Sequence, residues 1–427
     1  MRSAIAAQCF GMLTQQLLSG GILLLYLNAL GVGPSRILLV LNLAPFLTSL
    51  LSIPLGWGAD RFGIKRFGTL GNFGMIVGLS LVAGASSLKN ASPDLVIPLI
   101  IVGLVIHTVG AALFNTGWFS LLSHLVPTAM TGRFFGILRF SWQLLALVFF
   151  AASAILFSDR TPLWVYQIVL ALGVVSLACR NIFYGTLPEA PPSSQRRLSM
   201  TESVHTALSF PGFASFLRYL LLLVCVTGNG SDMLRLSAIR GCGLGDNQVL
   251  FLTVGSMTGS LAGFAFVGHV IDRLGPRAVF IGCHLGFAIA LSVFPLRDVL
   301  HLKPFVVGIA ASFLLGLANA TLGLATTAQS FRICIGAQRT MAYALVSSVQ
   351  TLGSGLSGFA LAALLTRMGT LGRNPFDQTL LCLAAFVLVQ ITAVRLLPGS
   401  ASRGVREDSV PPRPHPGEVA VAQMPSS

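Results

Sequence analysis

Charge is what this chain has least of. Asp, Glu, Lys and Arg make up only 9% of its 427 residues while 54% are hydrophobic; a soluble domain carries roughly 25% charged residues. With so little to keep a surface wet, most of that surface must face lipid. Acids are scarcest: thirteen Asp and Glu in the whole chain exclude a large acidic active site. The seven cysteines (Cys9, Cys179, Cys225, Cys242, Cys283, Cys334 and Cys382) are scattered, mostly in apolar runs, with no Cys-x-x-Cys. They read as small core residues, neither a disulfide framework nor a metal site. Enzyme signatures are missing too: no His-Glu-x-x-His helix, no nucleophile elbow, no Gly-rich phosphate loop with its Lys. No enzymatic activity, cofactor or metal is expected.

What charge there is leans positive, with a net +14. The basic residues stand singly or in small groups between apolar runs and form no stripe interleaved with aromatics, which argues against a nucleic-acid partner. About 20 apolar residues cross a bilayer. Twelve runs meet that measure: 8–30, 37–55, 67–88, 95–122, 137–157 and 163–183, then 214–234, 248–267, 278–296, 305–328, 342–365 and 380–397. An even number puts both termini on one side, and eighteen of the 27 Lys and Arg fall on that side. The positive-inside rule makes it the cytoplasm, so a multi-pass protein of a plasma or inner membrane is expected, with both termini cytoplasmic. The first residues look like a signal peptide, but Gln15 and Gln16 interrupt the apolar core and eleven spans follow, so they read as a retained helix. Residues 186–213 hold Pro188, Pro191, Pro192, Arg196 and Arg197 and read as a linker, with a short surface helix near 200–209. The expected division is a six-helix bundle over 1–185, that linker, a second bundle over 214–397, and a disordered tail over 398–427.

One charged string occurs twice in this apolar chain. Gly56-Trp57-Gly58-Ala59-Asp60-Arg61-Phe62-Gly63-Ile64-Lys65 matches Gly268-His269-Val270-Ile271-Asp272-Arg273-Leu274-Gly275-Pro276-Arg277, each matching pair 212 residues apart. Gly56 and Gly268 permit close helix approach, and Gly63 and Gly275 a tight turn. Asp60 or Asp272 at a helix end can accept from exposed N–H groups at another helix's start, and Arg61, Lys65, Arg273 and Arg277 can pair with it. A solvated loop obeying the charge rule explains the cations but not an Asp at the same register twice. Half-chain repeats between apolar spans mark many secondary transporters. The string resembles the loop between the second and third helices of each half in the major facilitator superfamily. The resemblance implies an all-α integral membrane protein of 12 transmembrane helices in two pseudo-symmetric six-helix bundles. It also implies a latch: Asp60 meeting the start of span eleven near Arg339, and Asp272 the start of span five near Arg133.

In that family spans one, four, seven and ten line a central cavity. His107 lies mid-way along span four, and the 212-residue offset carries it to Asn319 in span ten. An imidazole there could hold solute or proton, or simply bond a neighbouring helix. Further candidates are Gln15 and Gln16 in span one, Asn115 and Trp118 in span four, and Trp142 and Gln143 in span five. Asn229 in span seven and Gln350 in span eleven complete the set. Amides and indoles suit sugars and other polar molecules because they donate and accept without fixed charge, although each alone is more often a helix–helix hydrogen bond. Arg139 reads as snorkelling. Gly228-Asn229-Gly230-Ser231-Asp232 has a broken-helix composition, and Asp232 with Arg235 is either an external gate pair or plain loop charge. No carboxylate sits mid-way in spans one, four, five, ten or eleven. Coupling through His107, facilitated diffusion and exchange therefore stay open, with a proton as the possible second partner. Gly255, Gly259 and Gly263, and Gly74 and Gly78, read as packing faces. The expectation is a monomer in the bilayer that moves a small organic solute by rocking its halves. A polar nutrient is favoured over an amphipathic export cargo; a transporter-like receptor is the other reading.

Overall fold

The structure, a computed structural model, describes residues 1–125, 131–189, 199–333, 339–368 and 374–397. Among them, eleven helices are long and apolar enough to cross a membrane, and a bent pair at the N-terminus supplies a twelfth. That pair is α1 (Arg2–Ser19) and α2 (Ile22–Ala29), which meet at 41°. Gly21 sits between them at φ 105°, a conformation that costs glycine little. The chain continues through α3 (Pro34–Phe62), α4 (Ile64–Gly84), α5 (Pro93–Leu125), α6 (Thr131–Leu156) and α7 (Leu163–Gly185). The short α8 (Met200–Leu208) follows where a surface helix was expected, its start closed by a capping box between Ser199 and Glu202.

The second half opens with a break, as its composition suggests: α9 (Phe213–Thr227) stops before Gly228 and α10 (Gly230–Leu236) resumes, ending in a π-turn over Ser237–Gly241. Asp232 lies in α10, within the apolar stretch Phe213–Gly241 and paired with Arg235; it is not loop charge. Next come α11 (Asp246–Val293), α12 (Pro304–Ile333), α13 (Arg339–Met368) and α14 (Pro375–Val389). α11 holds two spans divided at Gly275 (φ 77°), 212 residues after Gly63 (φ 101°). At both copies of the repeated string, then, a glycine makes the turn that L-residues rarely adopt.

In the first bundle α1 packs on α6 and α7, and α4 on α5 and α7; in the second α11 packs on α12 and α14, and α9 on α13. The closest approaches are made by small residues. A Cβ on Gly71 of α4 would lie 2.5 Å from the carbonyl oxygen of Gly110 on α5, and one on Gly259 of α11 would strike the backbone of Phe313 on α12. Outward faces are apolar, with Ile155, Leu156 and Phe266 among the most exposed side chains. On the face opposite Met1, Arg297 forks onto Asp377 (2.9 and 2.8 Å), which also accepts from Ser237 Oγ (3.1 Å) and Asn374 Nδ2 (3.0 Å). Those bonds hold the Arg297 guanidinium above its ordinary pKa range. The halves meet along two seams, α3 against α13 and α6 against α11.

Candidate functional site

Between the seams lies a cavity of about 240 Å³ lined by α1 (Gln16, Ser19, Gly20), α6 (Trp142, Gln143), α10 (Arg235), α11 and α12 (Asn319, Ala320). The contribution of α11 is a stripe: Thr253, Ser256, Met257, Ser260 and Phe264, at the spacing of one helix face. Arg235 is buried; its Nη1 donates to Asp232 (2.7 Å) and, across the halves, to the Ser19 carbonyl (3.3 Å). Thr253 Oγ1 donates to the Gly20 carbonyl at 2.7 Å. The break between α1 and α2 makes both contacts available, because carbonyls at a helix end lose their partners one turn on. Gln143 Nε2 reaches the Met257 carbonyl (3.3 Å) across the other seam.

The same seams close the face opposite Met1. Ser35 and Thr366 share a hydroxyl bond of 2.9 Å, and Arg240 Nη2 donates to the Val32 carbonyl (3.3 Å). Asn42 lies against Gly358 and Phe46 against Phe359 (centroids 5.3 Å apart), while Ser348 Oγ donates to the Ser49 carbonyl (2.6 Å). At the start of α11, the buried Asp246 takes the Thr161 N–H (2.9 Å) and the Tyr166 hydroxyl (2.8 Å), and its own N–H donates to the Asp159 carbonyl (3.2 Å). These contacts run from the face opposite Met1 to about the middle of the helices.

Of the residues singled out in the sequence, the cavity brings together Gln143 and Asn319, with Gln16, Trp142 and Arg235 beside them. The others lie elsewhere. Gln15 and Asn115 are exposed, and Gln350 on α13 is half-buried outside the lining. Asn229 Nδ2 ties the helix break to the Ser354 carbonyl (2.7 Å). His107 is buried where α5 backs onto Gly78 of α4, and its Nε2 has no partner among the described residues. Trp118 packs at a tilt against Phe114 and Tyr184, where Arg180 lies 3.3 Å over the Phe114 ring. Of the repeated strings, Lys65 Nζ donates to the carbonyls of Gly185 and Leu187 (2.9 and 2.6 Å), closing the end of α7. Gly56 is half-buried, and Gly268, Arg273 and Arg277 are exposed. The side chains of Asp60, Arg61, Asp272, Arg133 and Arg339 lie outside the described residues. The polar stripe of α11 escaped the sequence reading, although Thr253, Ser256 and Ser260 recur at helical spacing in a span otherwise notable for glycine.

Comparison with known proteins agrees with this architecture. A search of curated proteins gives no match. Among solved structures, a POT family transporter in complex with a thioalcohol-conjugated peptide superposes with a TM-score of 0.72 (12% identity, 92% of this chain and 95% of that one). A D-xylose-proton symporter gives 0.70 (15% identity, 93% and 96%), and the xylose transporter XylE from E. coli, inward open, gives 0.66 (14% identity, 94% and 96%). Likeness at such identity speaks for the fold alone. The sequence model of the Major Facilitator Superfamily matches residues 4–238, more than half of the chain, and the chain belongs to that superfamily of multi-pass membrane transporters.

Proposed function

We propose that this transporter carries a small, net-neutral polar solute, held between Gln16, Gln143 and Asn319 and released by alternate opening of its two faces. One observation carries the reading. The cavity offers three amides and four hydroxyl side chains, and its one charged lining residue, Arg235, is already neutralised by Asp232. Groups that donate and accept without net charge suit a polyhydroxylated or amide-bearing molecule, and Trp142 and Phe264 offer apolar walls. A volume of about 240 Å³ suits a solute of monosaccharide size. The polar lining argues against amphipathic cargo, and membership of a transporter superfamily supports the reading of a carrier.

The cross-half bonds keep the face opposite Met1 shut, so the solute would leave or enter on the side of the termini. The excess of Lys and Arg makes that side the cytoplasm, and the state is inward-facing. The two repeated loops, with Arg133 and Arg339, would close it in the other half of the cycle, each six-helix unit moving as a body on either side of the 186–213 linker. Asp232, paired with the lining residue Arg235, is the group through which a proton would couple.

Binding of a panel of labelled sugars, nucleosides and short peptides to the purified monomer, followed by flux into liposomes, tests this. Gln143→Ala and Asn319→Ala should each weaken a bound solute about tenfold, the loss of roughly one well-made hydrogen bond. A solute whose affinity neither substitution moves would rule out this cavity as the site. Binding without flux would make the protein a sensor.

A further inference from the structure

We propose that the first bundle holds a resident monovalent anion of chloride size, bound at the guanidinium of Arg180. Among the described residues three arginines are buried: Arg180, Arg235 and Arg297. Two of them have a carboxylate, Arg235 on Asp232 (2.7 Å) and Arg297 on Asp377 (2.8 Å). Arg180 has no ion pair among the described residues. Yet it lies within the apolar span Leu163–Gly185, where an uncompensated charge is costly and points to a function.

Four helices of the bundle are shaped around this side chain. A Cβ on Gly11 of α1 would strike the guanidinium, so α1 admits it by carrying no side chain there. The Arg180 Cζ lies 3.3 Å over the Phe114 ring of α5, and Nη1 donates to Met75 Sδ of α4 (3.8 Å). Ring face and thioether are soft acceptors that bring no counter-charge. Nε has no partner among the described residues. Two more ring nitrogens stand unpartnered on the α5 face that carries Phe114. One is Trp118 Nε1, whose ring packs on Phe114 with centroids 5.5 Å apart. The other is His107 Nε2, two turns before Phe114 on the same helix face, which donates in one tautomer. The acceptor left over in this packing is Asn72 Oδ1, its Nδ2 being spent on the Leu177 carbonyl (2.9 Å). A water there would satisfy Asn72 and leave the charge uncompensated. An anion answers both the surplus of N–H groups and the charge, and a single guanidinium calls for a monovalent one. None of these residues lines the cavity between the halves, so the anion belongs to the bundle and is not the cargo.

Thermal unfolding of the full chain in detergent, in sodium chloride against sodium gluconate at equal ionic strength, tests the site. Chloride should raise the unfolding temperature by several degrees and saturate, as a ligand of the folded state alone does. Bromide should substitute and sulfate should not; equal temperatures in chloride and gluconate overturn the proposal. Arg180→Met should abolish the chloride effect and unfold in gluconate no lower than the unmodified chain, because the buried charge that needs the ion is gone. An Arg180 that merely packs would leave the variant less stable in both salts. That result overturns the proposal, as does a chloride effect that survives the substitution. Crystals of the unmodified chain grown in bromide need no variant: an anomalous peak is expected within hydrogen-bonding reach of Arg180. Bromide found only elsewhere, an adventitious ion only, overturns the site.

Discussion

Asp246 shows how much one side chain does at the closed face. It is a buried carboxylate with no ion pair among the described residues, yet it joins the halves by taking one backbone N–H from the turn before α7 and the phenol of Tyr166 in the first turn of α7. Hydrogen bonds to a charged acceptor contribute about 1.5–3 kcal/mol each when made and cost as much when a partner is orphaned. Asp246→Ala should therefore shift the balance toward opening of this face. Maleimide labelling of a cysteine introduced by Ser35→Cys should then be several-fold faster; an unchanged rate would mean that the contact does not hold the face shut. Little of this was legible beforehand, because Asp246 is a loop-end acid in the sequence and its partners lie about 80 residues away. Gln143 and Asn319 were legible, because an amide inside an apolar span is conspicuous. His107 was equally conspicuous but is buried outside the cavity lining, since composition says which residues are unusual and not which way a helix is turned.

At the scale of elements, the spans were readable from apolar length alone; their ends and breaks were less so. α1 starts at Arg2, six residues before the expected run, and turns at Gly20–Gly21, where no Pro or charge signals a stop. The glycines of α11 were read as a packing face, and Gly259 does press on α12. Gly259→Ala should overpack that contact and cost about 1–3 kcal/mol, visible as a lower unfolding temperature in detergent. Asp377 has a different task, gathering the Arg297 guanidinium, Ser237 and Asn374 where three connections of the second bundle meet. Removing one member of a buried pair costs about 3–5 kcal/mol, so Asp377→Ala should lower the unfolding temperature more than Gly259→Ala does. A smaller drop would show that water replaces the lost partner.

For the molecule as a whole, the repeat is the informative pattern. The 212-residue offset relates Gly63 to Gly275, and both carry the positive φ of a tight turn. Two halves built alike and joined along paired seams are what a rocking carrier requires. If Asp60 and Asp272 latch the face of the termini, Asp60→Asn should slow flux and leave the protein longer in its present state, so that cysteine labelling on the face opposite Met1 falls. Unchanged accessibility on both faces would remove the latch. Orientation has its own check: in intact cells a cysteine introduced by Ser199→Cys should resist an impermeant maleimide.

Five of the cross-half bonds share a polarity with an evolutionary consequence. Arg235, Arg240, Thr253, Ser348 and Gln143 all donate from side chains, and each lands on a backbone carbonyl: Ser19, Val32, Gly20, Ser49 and Met257 respectively. Backbone acceptors are present whatever residue occupies the position. The receiving surface is thus free to drift, and only the donors are constrained by identity. A saturation library scored for function should show that asymmetry: narrow tolerance at the five donors, and wide tolerance at Val32 and Ser49, whose side chains the closure never reads.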